Sequence, residues 1–167
     1  EYPMIPTPLH PAVVHFPIVF GILLPIAAVA AVFVMRRGDH RKAWMPVLGL
    51  AAALTASAWV AIQAGEREEE VVEEVIAKAP LHAHEEDAEI FLIFSFVTLL
   101  VGTGGLLKGS AGRTARIAAT LAAIATAGLG YRVGHSGGEL VYEYGAAEAY
   151  AQGRPGTEHE QSEPGDQ

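Results

Sequence analysis

AVVHFPIVFGILLPIAAVAAVFVM, residues 12 to 35, contains no Asp, Glu, Lys or Arg. A helix rises about 1.5 Å per residue, so about 20 apolar residues cover a hydrocarbon core ~30 Å thick. This stretch is therefore long enough to cross a bilayer. A second uncharged run, AWMPVLGLAAALTASAWVAIQA at 43 to 64, is also long enough. Two shorter ones, residues 90 to 107 and 117 to 131, lengthen through their polar flanks to spans at about 88–107 and 116–134. Core helices of a soluble bundle would show polar outer stripes at a period near 3.6 residues, whereas these runs carry only scattered Thr, Ser and Gln. The reading is an all-α integral membrane four-helix bundle with four transmembrane helices.

Charge orients the spans. The loops Arg36 to Lys42 (RRGDHRK) and Lys108 to Arg116 (KGSAGRTAR) hold seven of the eleven Lys and Arg residues, and the positive-inside rule puts them in the cytoplasm. Of the nineteen acids only Asp39 lies in those loops. Both termini and the 65–89 loop are then outside, and the net charge of −8 averages two unlike faces. Such an average gives no reason to expect a nucleic-acid partner. The chain has no cysteine, which fits an oxidising exterior and excludes thiolate ligands or an iron–sulfur cluster held by this chain. The first span is too long for the hydrophobic region of a signal peptide and lacks a small-residue cleavage site, so it is expected to remain as a helix. The sequence opens at Glu1 without a Met, which leaves room for residues ahead of it.

Proline and small residues shape the spans. Pro11 suits a first helical turn, while Pro17 and Pro25 each remove a backbone bond and predict kinks near His15 and in mid-helix. Spans two and four are rich in Ala and Gly, and all six Phe lie in spans one and three. Two slim helices packing against two bulky ones follow, with short loops making successive spans antiparallel neighbours. Trp44 and Trp59 read as anchors at the two membrane interfaces. Residues 66–79 (EREEEVVEEVIAKA) form either an extension of span two or a short outer-face helix, ended by Pro80. Their acids lack a calcium-loop pattern and read as a solvated face. Residues 146–167 form an acidic polar tail that orders only on a partner, with Tyr150 as an apolar anchor.

Five of the seven histidines, His10, His15, His82, His84 and His135, fall at the outer ends of the spans, leaving His40 and His159 in the inner loop and the tail. His10 and His15 are five residues apart, which on a regular helix turns them about 140° away from each other. One histidine from each of spans one, three and four, His15, His84 and His135, is expected to converge. Two facing imidazoles would ligate a haem iron, with Gly128, Gly130 and Gly134 leaving room for a macrocycle and Arg132 pairing with a propionate. Three or more, drawn from His10, His15, His82, His84 and His135, would suit zinc or copper. The remaining alternative is that the histidines cap helices and bond carbonyls, with no cofactor. No charged residue falls within the four uncharged runs to carry a proton relay, and no phosphate-binding or nucleophile motif is present.

LHPAVVHFPI at 9–18, a histidine before span three and GHSGGELVYEYG at 134–145 resemble the bacterial four-span family known as domain of unknown function 2231. Its members typically carry HPxxVHFP and a closing GGxLVYxHG; Tyr144 stands in place of that last histidine here. Some members are joined to a Rieske-type iron–sulfur domain, so the resemblance implies a bacterial inner membrane and a redox setting. The expected function is a non-catalytic subunit that binds haem b, or else zinc or copper, and transfers electrons within a larger membrane complex. The alternative is a cofactor-free accessory subunit that stabilises a respiratory or photosynthetic assembly. In both, lipid and other membrane subunits are the partners, and the tail makes the contact.

Overall fold

A computed structural model describes residues 9–36, 41–73 and 76–151. His40, His159, the side chain of Tyr150 and the tail beyond Ala151 lie outside the described residues, and with them the expectation for residues 152–167 of the tail; of the tail expected from 146, Ala146–Ala151 are described and helical.

The first span begins as α1 (His10–Val13) and continues as α2 (His15–Met35). The two are parted only by Val14, which keeps helical dihedrals of −62° and −21°. Pro17 has no N–H to give the Val13 carbonyl, and this missing bond falls where the helix is interrupted. A short 3₁₀ turn, Arg41–Trp44, leads into α3 (Met45–Glu73). Then come α4 (Lys78–Thr103), a 3₁₀ turn Gly104–Leu106, α5 (Gly109–Tyr142) and the short α6 (Ala146–Ala151). Gly109 opens α5 with φ of +67°, a left-handed value that suits glycine.

Of the two readings of residues 66–79, the extension is what forms over residues 66–73, because α3 runs unbroken through Glu73. Pro80 does not end that helix; it lies in the first turn of α4, where its missing N–H costs no intrahelical bond. The short helix beyond the spans is α6 instead.

Four helices are long and apolar enough to cross a membrane: His10–Met35, Arg41–Glu69, Lys78–Leu106 and Gly109–Tyr142. They form a closed square in which α2 packs on α3 and α5, and α4 packs on the same two helices. Neither diagonal pair, α2 with α4 or α3 with α5, brings its backbones close together among the described residues. Every interface therefore sets a Phe-bearing helix against an Ala- and Gly-rich one. Only Phe91 is buried among the phenylalanines; Phe16, Phe33, Phe94 and Phe96 face outward with Ile22, Ile26, Ile93, Leu100, Leu121 and Ile124. An apolar girdle of that extent suits lipid rather than water.

The core side chains follow one seam per helix: Leu24, Ala28 and Ala31 on α2; Val47, Ala51, Leu54 and Ala58 on α3; Phe91 on α4; Ala119 and Ala123 on α5. A second cluster of Val72, Ile76, Leu81, Leu140 and Ala146 closes the acidic end. At the basic end Trp44 is fully buried, with its indole N–H donating to the Gly102 carbonyl at 2.9 Å. This corrects its reading as an interfacial anchor. A Cβ at Gly105 would lie 2.3 Å from the indole nitrogen, so glycine there admits the ring. Trp59 is exposed midway along α3.

Candidate functional site

The core seams can be extended toward the acidic end, three or four residues at a time. On α3 the buried line 47, 51, 54, 58, 61 leads to Gly65, Glu68 and Val72; on α5 the line 119, 123, 126 leads to Gly130, Val133, Gly137 and Leu140. On α4 the line 102, 98, 95, 91, 87 leads to His84 and Leu81, and on α2 the line 31, 28, 24, 21, 17 leads to Val14 and His10. One layer of the bundle thus holds His10 and His84 on one diagonal, and Gly65 and Gly137 on the other.

The two imidazoles meet across the middle of the square. Their ring centres are 6.4 Å apart and their planes stand at 86°. Each ring lies against a bare glycine: a Cβ at Gly65 would be 3.0 Å from Nδ1 of His10, and one at Gly137 would be 3.0 Å from Cε1 of His84.

Each ring is also tethered through Nδ1. His10 Nδ1 lies 2.8 Å from the Ala61 carbonyl, which can only accept, so this nitrogen carries the proton and Nε2 keeps its lone pair. Glu68 fixes the start of the same helix, with Oε1 accepting from the backbone N–H of Leu9 at 2.5 Å and of His10 at 3.3 Å. His84 Nδ1 lies 2.9 Å from Ser136 Oγ. The Ser136 hydroxyl is also 3.2 Å from the Val133 carbonyl; donating there, it accepts from His84 and leaves Nε2 as the basic nitrogen. Just toward the bundle centre, Asp87 and Arg132 join α4 to α5 through two parallel bonds, Nε to Oδ2 at 3.0 Å and Nη2 to Oδ1 at 2.6 Å.

The expected trio of His15, His84 and His135 is not assembled. His15 is exposed, since a continuous helix from His10 can turn only one of the two inward. His135 is 64% exposed, stacked on Tyr131 with 6.2 Å between ring centres and 3.4 Å from Glu139. His82 is exposed and bonds Glu85 at 3.1 Å. Of the five histidines proposed for a metal, only His10 and His84 are neighbours, and no three His, Asp or Glu side chains converge on a metal-sized site among the described residues. Arg132 is engaged by Asp87 rather than turned toward the histidines. Gly130 abuts Phe91, a Cβ there falling 3.1 Å from the ring, while Gly128 and Gly134 are exposed with nothing within 4 Å.

Ser136, Asp87, Glu68, Gly65 and Gly137 are the participants that the search for histidines passes over. The seam spacing on α3 and α5 is the signal that leads to Gly65, Glu68 and Gly137.

An apolar-sided square of four spanning helices, closed at one end by aliphatic residues over an internal histidine pair, defines an integral membrane bundle. The chain belongs to the family described as Predicted membrane protein (DUF2231), whose model matches residues 6–149. No curated protein and no solved structure gives a match.

Proposed function

We propose that the chain is an electron-transfer subunit of the bacterial inner membrane that holds one b-type haem between His10 and His84, with the acidic end of the bundle outside. The observation that carries the reading is a pair of imidazoles 6.4 Å apart, each tied at Nδ1 and each keeping Nε2 as its basic nitrogen. Ligating histidines are typically held this way, the second nitrogen donating to a carbonyl or another fixed acceptor. With metal–nitrogen bonds of about 2 Å on each side, two imidazoles sharing one ion put their ring centres about 6 Å apart.

Ligand count separates the candidate ions. Structural zinc takes four protein ligands and catalytic zinc three, whereas a haem iron receives four nitrogens from its macrocycle and takes one or two from the protein. Two imidazoles are what the described residues offer. His10 and His84 would hold the iron, and the bound group would supply a one-electron ferric–ferrous couple. Gly65 and Gly137 make room for the rings, and the cap of Val72, Ile76, Leu81 and Leu140 limits water.

A second reading has its own support. Both rings already bond a neighbouring helix through Nδ1, which is how polar side chains join helices in lipid without any cofactor. The chain would then be an accessory subunit of a larger assembly.

A reduced-minus-oxidised visible spectrum of the purified protein separates the two. The haem reading expects an α-band that disappears in His10→Ala and His84→Ala and persists in His15→Ala. A colourless protein from haem-replete cells, with no transition metal by elemental analysis, overturns it in favour of the accessory subunit.

A further inference from the structure

Asp87 is the one charged residue buried among the described residues, at 8% exposure. Burying a carboxylate is costly unless the charge is well paired, and apolar residues at such places are often as stable or more so. Arg132 provides the pairing through its planar fork while remaining 65% exposed itself. The position of the pair suggests what it is for.

Asp87 lies three residues after His84 on α4, and Arg132 lies four residues before Ser136 on α5. The ion pair and the His84–Ser136 hydrogen bond are therefore successive rungs between the same two antiparallel helices, about one turn apart. Around them α5 reads GLGYRVGHSGG, with glycine at 128, 130, 134, 137 and 138. Bare glycines allow close approach but give little resistance to sliding or rotation. Directional contacts must set the register here, and a two-bond fork on a buried carboxylate is the most directional one present.

We infer that Asp87 and Arg132 are positioning residues for His84: their pair fixes the register of α5 against α4, so that Ser136 meets Nδ1 of His84 and Nε2 is left as the ligating nitrogen. The inference rests on the reading of His84 as a ligand, but the tautomer it predicts can be measured without haem.

The test is ¹⁵N NMR of the full chain labelled at histidine, expressed under haem limitation and reconstituted in lipid. In the wild type His84 should favour the Nδ1–H form by about tenfold or more, as one buried hydrogen bond implies. Asp87→Asn and Arg132→Gln should each bring that ratio to near parity while His82 and His135 keep their signals. Arg132→Lys, which keeps the charge but loses the fork, should fall between. The doubly exchanged variant Asp87→Arg with Arg132→Asp should recover most of the preference, and it decides the matter if the single variants do not fold. An unchanged Nδ1–H preference in folded Asp87→Asn and Arg132→Gln, or none in the folded exchange variant, overturns the inference. The haem reading fails separately, if His84→Ala keeps the wild-type spectrum.

Discussion

A Cβ at residue 65 would come within 3.0 Å of Nδ1 of His10, and the 2.8 Å bond from that nitrogen to the Ala61 carbonyl holds the ring where it is. The ring cannot retreat from an added methyl without stretching that bond. Gly65→Ala gains helix propensity of about 1 kcal/mol but meets an overpacking cost of about 1–3 kcal/mol, so a net loss of about 1 kcal/mol is expected. Haem per chain should fall with it. Gly49→Ala, on the exposed side of the same helix with nothing within 4 Å, is the control and should be neutral or slightly stabilising. Thermal unfolding of both in one detergent checks the contrast; equal stability and equal pigment would remove the steric argument.

Orientation follows from charge, and labelling can read it. A cysteine at Ser110, exposed between Lys108 and Arg113, should react with a membrane-impermeant maleimide only in inverted vesicles. One at Lys78, exposed at the start of α4, should react in intact cells. Reaction at Ser110→Cys from outside would reverse the topology and place the histidine pair at the cytoplasmic face.

At the basic end, Trp44→Phe keeps an aromatic ring but is smaller than the indole and removes the donor to the Gly102 carbonyl. A buried acceptor left without that partner costs about 1–3 kcal/mol. A clear drop in midpoint temperature is expected with no change in pigment, because the histidine layer lies at the opposite end of the bundle. An unaffected midpoint would mean that the indole bond contributes nothing to stability.

The buried Thr98–Thr126 pair should behave differently. Its hydroxyls are 2.9 Å apart, yet Thr126 also donates to the carbonyl of Ala122, so Thr98→Val leaves no buried polar group unpaired. Side-chain hydrogen bonds between membrane helices average about 0.6 kcal/mol, and the loss should be of that order. A cost of several kcal/mol would show that the pair holds α4 and α5 together more strongly than its geometry implies.

Composition alone reveals the spans, the basic and acidic ends, and the pairing of slim helices with bulky ones, because each depends on which residue types occur and not on where a helix points. The site depends on helix phase. His10 and His15 are equally plausible by chemistry, and only the seam through Leu24, Gly21 and Pro17 puts the first inside and the second outside. On α5 the same rule picks Gly137 over Gly134 and turns His135 outward to Tyr131. Asp87 escapes notice for another reason: a carboxylate at the edge of an apolar run reads as its solvated end until Arg132 is seen to cover it. Trp44 likewise reads as an interface residue until the glycine at 105 is seen to make space for it.

Ser136 offers the sharpest test of how the His84 ring is held. Its hydroxyl is the acceptor for Nδ1–H, and removing such an outer partner of a ligating histidine typically lowers metal or cofactor affinity about 10–100-fold. Ser136→Ala should therefore bind haem more weakly by that factor when haem is titrated into protein prepared without it. Ser95→Ala, which loses only a bond to the Phe91 carbonyl of its own helix, should bind as the wild type does. Equal weakening in both would point to a general loosening of α4, and wild-type affinity in Ser136→Ala would mean that His84 needs no partner at Nδ1.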